Sequence, residues 1–298
     1  MPKAHRAKGA AGRTKMGNSK EGTVWSVDAG KLASATTKLW GELGGSGARV
    51  IEQLDRDQRF RRRLAEFALR GGVESSVHQK IVRAVMGKNF WGIEDWAADH
   101  GVRLPRKQEG QVAEFPWGED ILNSTCPLCG KVVKDCHFAY LGLAAVNGKS
   151  LTILELQKLY PYVSAVTMTQ SKFSSYAPGS WYTTHDFAKA TTLSFRWYLL
   201  HKEIVPNSTS MDFGAQQKML PPEYEVPLCV EEVAKDLLVW KKTGVPPNSS
   251  VYARCRDVSA GGFRLYAGGC GCGGVGIDGW GDSGYSDIGV AASRKIPS

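Results

Sequence analysis

The sequence lacks any run of about 18 consecutive apolar residues, so it predicts no membrane-spanning helix. It contains no H-E-x-x-H, no G-x-x-x-x-G-K-[ST] and no Ser/His/Asp set. Those absences remove the usual signatures of zinc proteases, P-loop nucleotide enzymes and serine hydrolases. The opening stretch MPKAHRAKGAAGRTKMGNSK has no apolar core segment and does not read as a secretory signal. Cytoplasmic residence is therefore the default expectation, with free thiols in place of disulfides. An odd number of cysteines, seven, fits that expectation. A more local absence is sharper: from Cys255 through Arg294 there is no Lys, Glu, Gln or Met, although the chain uses all four elsewhere.

What remains is the composition of an ordinary globular chain. Its 298 residues, 42% hydrophobic and 22% charged, can build one large domain or two smaller ones. The formal charge is +9, but six of those nine charges precede the first acidic residue, Glu21. The basicity belongs mainly to a tail, residues 1–24, which reads as disordered. Such a tail can touch nucleic acid or acidic surfaces without specificity. No aromatic residue interrupts it to stack on bases, so a solvated tail is the simpler reading. The run Arg61-Arg62-Arg63 likewise reads first as a solvated helix face.

The fold class expected is α+β. Residues 25–137 read as a mainly helical region. ARVIEQLDRDQRFRRRLAEFALRGG carries Val50, Leu54, Phe60, Leu64, Phe67 and Leu69 mostly at helical spacing, as one helix ended by Gly71-Gly72. VESSVHQKIVRAVMG and GIEDWAADHG predict two more helices. From residue 138 to 298 a second domain is expected. Phe138 to Val146 reads as a buried strand, SLTILELQKLYP as a helix capped by Ser150, and RWYLLHKEIV as a strong strand. MDFGAQQKMLPP is a brief helix. In YEVPLCVEEVAKDLLVWKKTG, Val230, Val233, Leu237 and Trp240 share one helical face, with Pro227 in its first turn and Gly244 after it. Short strands with Gly-rich turns come next, and the last, IGVAASRK, can pair with RWYLLHKEIV.

That Gly-rich stretch carries apolar anchors at Val258, Leu265, Val275, Ile277, Trp280, Ile288 and Val290. Between them lie Phe263, Tyr266, Gly269, Gly273, Gly276, Asp278, Gly279, Ser283, Tyr285 and Asp287, which share no single chemistry. Strand alternation would turn the anchors inward and the interleaved residues outward. The missing residue types have a genetic counterpart. An asparagine codon altered at its two adenines can yield Phe, Tyr, Gly, Asp, Ser, Cys or Arg, but never Lys, Glu, Gln, Met or Trp.

Several segments resemble a bacterial family of otherwise uncharacterised members with a hypervariable C-terminus. These are HQKIVRAVMGKNFWGIEDWAADHGV, AEFPWGEDIL, LGLAAVNGKSLTILELQKLYP, WYLLHKEIVPNSTS, QQKMLPPEYEVP and IGVAASRK, spread over residues 75–298. The C-terminal pattern is similar to the variable (target) proteins of diversity-generating retroelements, in which a reverse transcriptase rewrites one end of a gene with errors at adenines. The resemblance implies a C-type lectin-like fold with the variable segment, at about 255–288, gathered on one ligand-binding face; with no catalytic motif in the sequence, a non-enzymatic binding protein is expected. It implies as partner a protein or cell-surface ligand of unspecified identity. The acidic run that the family pattern places after the tryptophan is replaced here by Gly281-Asp282, which blurs the edge of the variable segment.

Two other readings stay open. CPLCGKVVKDCH offers Cys126, Cys129, Cys136 and His137 as a weak zinc set: the C-x-x-C turn can grip one tetrahedral ion, but adjacent Cys136 and His137 diverge in most backbones. With the basic tail, such a knuckle would suit a nucleic-acid-binding protein. Cys270-x-Cys272 reads as loop residues or as products of variation. Formylglycine-generating-type enzymes share the lectin-like fold and use cysteines, which keeps an enzyme relative among the alternatives. No cofactor is required by the sequence, with zinc the one candidate.

Overall fold

A computed structural model describes residues 29–161, 181–270 and 274–297. The basic tail, Gly273 and Cys272 lie outside the described residues. The chain divides into two compact units, residues 1–63 and 64–298.

In the first unit, α1 (Ala29–Leu43) and α2 (Gly47–Arg56) precede the start of α3 (Gln58–Leu69). One continuous helix is expected from the sequence, but Asp57 breaks it. Its backbone is extended, and its carboxylate accepts from the amides of Arg59 (2.8 Å) and Phe60 (3.0 Å), capping α3. Arg61 turns back to donate to the carbonyls of Leu54 and Asp55 at the end of α2. Of the expected apolar stripe, Val50, Leu54 and Phe60 are half-buried, whereas Leu64, Phe67 and Leu69 are exposed, Leu69 at 79%.

The second unit is mixed α+β with several small sheets. Its elements run α4 (Val77–Met86), β1 (Phe90–Trp91), α5 (Ile93–His100), α6 (Arg106–Gln111), α7 (Glu119–Leu122), α8 (Val133–Cys136) and β2 (His137–Gly142). Then come a ribbon of β3 (Ala145–Val146) and β4 (Lys149–Ser150), α9 (Ile153–Leu159), α10 (Asp186–Lys189), β5 (Arg196–His201), α11 (Phe213–Lys218) and β6 (Tyr224–Glu225). The chain ends with α12 (Cys229–Thr243), β7 (Tyr252–Val258), β8 (Arg264–Gly268), β9 (Gly276–Trp280), β10 (Ile288–Val290) and β11 (Ser293–Arg294). Among the described residues no helix is long and apolar enough to cross a membrane.

One sheet has the order β1-β2-β5-β11-β6 and the other β10-β7-β8-β9. β2 and β5 pair antiparallel from His137↔His201 to Gly142↔Arg196, and Ser293 of β11 pairs with Leu200. The expected strand IGVAASRK is divided: Ile288–Val290 pairs with β7 in the other sheet, and only the short β11 closes against β5. Two caps differ in detail. Thr152, not Ser150, caps α9 through a bond from the Glu155 amide (3.3 Å), while Ser150 ends β4. Pro227 precedes the N-cap Leu228 of α12 and so lies outside its first turn.

The unit holding both sheets begins at Leu64, not at residue 138. Tryptophans explain why. The indole N–H groups of Trp96, Trp117 and Trp197 donate to the carbonyls of Leu141 (2.8 Å), Lys295 (3.0 Å) and Val112 (3.0 Å). These bonds fasten residues 90–120 to β2, β5 and the C-terminal strand, and β1 itself pairs parallel with β2.

α12 is the centre of this unit. It packs on β2 of one sheet and on β7 and β8 of the other. Its expected apolar face is buried, and so is its polar face: Glu231, Glu232, Lys235 and Asp236 are all enclosed. A helix between two sheets has no solvent side, so its charges must find partners inside. Lys235 Nζ lies 2.6 Å from Glu232 Oε1 and 2.8 Å from Asp236 Oδ1, and donates to the Lys202 carbonyl at 2.7 Å. Asn248 donates to Glu232 (3.3 Å) and accepts from the Ile204 amide (3.0 Å). One cation therefore faces two carboxylates, and burial with the Asp236 charge pushes the Glu232 carboxyl up to about 8.

Candidate functional site

The four-stranded sheet separates the Gly-rich segment into an inner and an outer face. The register Arg254↔Tyr266↔Asp278 continues at Tyr252↔Gly268↔Gly276. Side chains at 253, 265, 267 and 277 alternate to the opposite side, where Ala253, Leu265, Ala267 and Ile277 are buried against the core around α12. Val275, Ile288 and Val290 are buried as anchors should be. Val258 is not: it is 51% exposed. The ladder shifts register between Arg254 and Val258, and such a bulge reverses the facing of the strand residues beyond it.

The outer face carries Tyr252, Tyr266 and Asp278, with Asp287 and Tyr285 at its border. Phe263 (53% exposed), Asp278, Ser283 and Asp287 are open to solvent; Gly269, Gly279 and Tyr285 are half-buried. Tyr266 and Gly276 are buried, contrary to the outward display expected of them. The Tyr266 ring, only 7% exposed, packs edge-on against Tyr252 with centroids 5.1 Å apart. Burial, Asp278 and Tyr252 raise its hydroxyl pKa, so it stays a neutral donor. Gly269 has φ +56, and a Cβ there would lie 2.5 Å from the Tyr252 ring, so this position is fixed by the tyrosine beside it. Gly279 pairs with Leu265 and faces the same inner side, where a Cβ would meet Trp181 (39% exposed), Phe263 and Leu265. The strand position of Trp280 is described, but its side chain lies outside the described residues.

The connection between β9 and β10, residues 281–287, is held from beneath. Arg254 is 1% exposed and donates to Gln216 Oε1 (2.9 Å), the Ser283 carbonyl (2.9 Å) and the Met211 carbonyl (3.4 Å). The amides of Ser210 and Phe213 donate to the carbonyls of Tyr285 (2.7 Å) and Asp282 (3.0 Å). Arg264 pairs with Asp282 at 3.1 Å and lies 3.8 Å over the Phe213 ring. A Cβ at Gly284 would meet the Ser210 backbone at 2.6 Å. The loop's backbone is thus tied to residues 210–216 and 254, while the side chains of Ser283 and Asp287 remain outside.

A second constellation lies at the far end of β2 and β5. Cys126, Cys129, Cys136 and His201 place their ligand atoms within 4.8 Å of one another and could hold a metal ion. The CPLCG turn is shaped by the Cys126 amide donating to Lys131 O (2.7 Å) and the Gly130 amide to Cys126 O (2.9 Å). Cys136 ends α8. His201 enters from β5, opposite His137. The weak set inferred from the sequence is corrected in its fourth member. His137 turns away: its Nδ1 lies 3.2 Å from Cys136 Sγ and its Nε2 3.1 Å from the Tyr224 hydroxyl. Burial pushes its pKa down to about 3, so it is a neutral packing residue.

Sequence reasoning missed two residues. His201 stands 65 positions beyond Cys136, and only the β2–β5 pairing brings it near. Tyr252 lies just before the expected variable segment, although alternation across YARCR could have found it. The described cysteines, Cys126, Cys129, Cys136, Cys229, Cys255 and Cys270, are free thiols. Cys270 is buried and donates to Asp236 Oδ2 at 3.6 Å, which makes it a core residue and not a loop thiol. No protein-family model, curated protein or solved structure matches the chain.

Proposed function

We propose that this chain is a non-enzymatic ligand-binding protein that displays a diversifiable surface on a C-type lectin-like scaffold, in the manner of the target proteins of diversity-generating retroelements. The lectin-like reading is supported by the closure of β11 on β5, by the helices packed on that sheet, and by the second sheet that carries the Gly-rich loops. One observation carries the functional reading. The backbone of 282–285 is held by Arg254 and by the amides of Ser210 and Phe213, none of them among the interchangeable residues, while Phe263, Asp278, Ser283 and Asp287 are exposed. A surface built this way can change its chemistry without disturbing its support. Tyr285 and Tyr252 supply aromatic area beside glycines and acids, a combination suited to contact at low entropic cost. The ligand is a protein or cell-surface group that would meet a mildly acidic, tyrosine-bearing face.

Two pooled libraries test this. One randomises Phe263, Asp278, Ser283 and Asp287; the other randomises Leu265, Ala267, Ile277 and Val290. Protease resistance is read for each pool. Most members of the first should stay folded, since exposed substitutions stay within about 0.5 kcal/mol. Most of the second should unfold, since core truncation costs about 2–5 kcal/mol per site. Equal tolerance in the two pools, or equal loss, would remove the basis for display.

A further inference from the structure

We propose that Cys126, Cys129, Cys136 and His201 bind one structural Zn2+ ion, which clips the CPLCG turn and α8 to the end of β5. Three observations carry this beyond the sequence motif. The ligand atoms are already gathered within 4.8 Å, a spacing that fits four ligands around one tetrahedral ion. The His201 ring is also oriented for it. Its Nδ1 lies 2.8 Å from the Glu203 carbonyl, which can only accept, so Nδ1 carries the hydrogen and Nε2 presents its lone pair. That Nε2 is buried and makes no hydrogen bond outside the cluster. A metal-bound histidine usually donates its other ring N–H to such a carbonyl. Finally, a small pocket lined by Cys129, Asp135, Cys136, His201 and Lys202 gives the ion a way in.

The donor chemistry selects the metal. Three thiolates and an imidazole favour Zn2+ over the oxygen-seeking Mg2+ and Ca2+. With all four positions filled by the chain and three of the four side chains buried, no site is left open for water or substrate. The ion would be structural. It joins Cys126, Cys129 and Cys136, which precede β2, to His201 on the strand paired with it, and so fixes the end of the β2–β5 ladder. This inference is independent of the ligand-binding reading, because the cluster involves neither the small sheet nor its loops.

The test is metal analysis of the full chain, expressed with zinc in the medium and purified under reducing conditions without chelator. About one zinc per chain is expected, released by a mercurial that blocks thiols. His201→Gln should weaken zinc binding by more than about 100-fold in competition with a chromogenic chelator, whereas His137→Gln should keep the stoichiometry. Because the His201 variant could fail to fold, Co2+ substitution of the unaltered chain gives a second readout: intense visible bands with thiolate-to-metal charge transfer. A reduced, folded wild-type chain that takes up neither zinc nor cobalt would overturn the proposal. So would a His137→Gln chain that loses zinc while the His201 variant keeps it.

Discussion

Replacing Lys235 with methionine is expected to lower stability by about 3–5 kcal/mol at neutral pH, the cost of leaving a buried ionic group without its partner. Methionine fills a similar volume, so the loss is electrostatic and not a cavity effect. The removed ammonium is the only cation within reach of Glu232 and Asp236 that the described residues place there, at 2.6 and 2.8 Å. It also holds the Lys202 carbonyl at the end of β5. Urea unfolding of the two proteins checks the magnitude. A loss below about 1 kcal/mol would mean that the network is not enclosed as described.

The same network gives the intact protein a pH dependence of definite sign. Burial and the Asp236 charge raise the folded-state pKa of Glu232 from the usual carboxyl range to about 8. Between that range and about pH 8, the folded chain keeps a proton that the unfolded chain has released. Its stabilising contribution is complete below the ordinary carboxyl pKa and is lost as pH rises through about 8. Glu232→Gln, a neutral isostere, should flatten that decline. An unchanged slope in the variant would assign the decline to another group.

The second large effect is expected at Arg254. Arg254→Met removes the donor to Gln216 Oε1 and to the Ser283 carbonyl, both at 2.9 Å, leaving these acceptors unpaired on the part of the outer face that residues 210–216 cover. Each such loss costs about 1–3 kcal/mol, so about 2–6 kcal/mol is expected together. Arg254→Lys should recover only part of it, because an ammonium cannot reproduce the fork. The loss has a location as well as a size. Amide hydrogen exchange should rise first over residues 281–287, whose backbone Arg254 supports, and much less over the β2–β5 ladder. Uniform acceleration across the unit would show Arg254 to be an ordinary core residue with no special hold on the displayed loop.

How much of this was legible in the sequence depended on whether the controlling contact was local. β2, β5, α11 and α12 emerge from patterns contained within each segment. The pairing of IGVAASRK with RWYLLHKEIV was readable in part: β11 closes on β5, but Ile288–Val290 joins the other sheet. What escaped depends on distant pairings. The polar face of α12 looks solvent-facing in isolation; only the second sheet, packed across it, encloses Lys235 and Asp236. His201 became a cluster ligand through the register that sets it opposite His137. Tyr266 was expected outside on strand alternation, and alternation does place it on the outer face. That face is itself partly covered, by Tyr252, so outer and exposed are not the same. Asp57 divides a helix because its carboxylate caps the next one, a local signal present in DRDQ but outweighed by the surrounding periodicity.

The most direct test of the central claim is nucleotide sequencing of the locus, from the codons for residues 250–298 outward over several kilobases. The account predicts a near-copy of that segment beside a reverse-transcriptase gene, differing almost only where the copy has adenine. The differing codons should fall at exposed positions such as Phe263, Asp278, Ser283 and Asp287, and spare Leu265, Ala267 and Ile277. A locus without such a copy, or a copy whose differences fall on those buried residues, would contradict it.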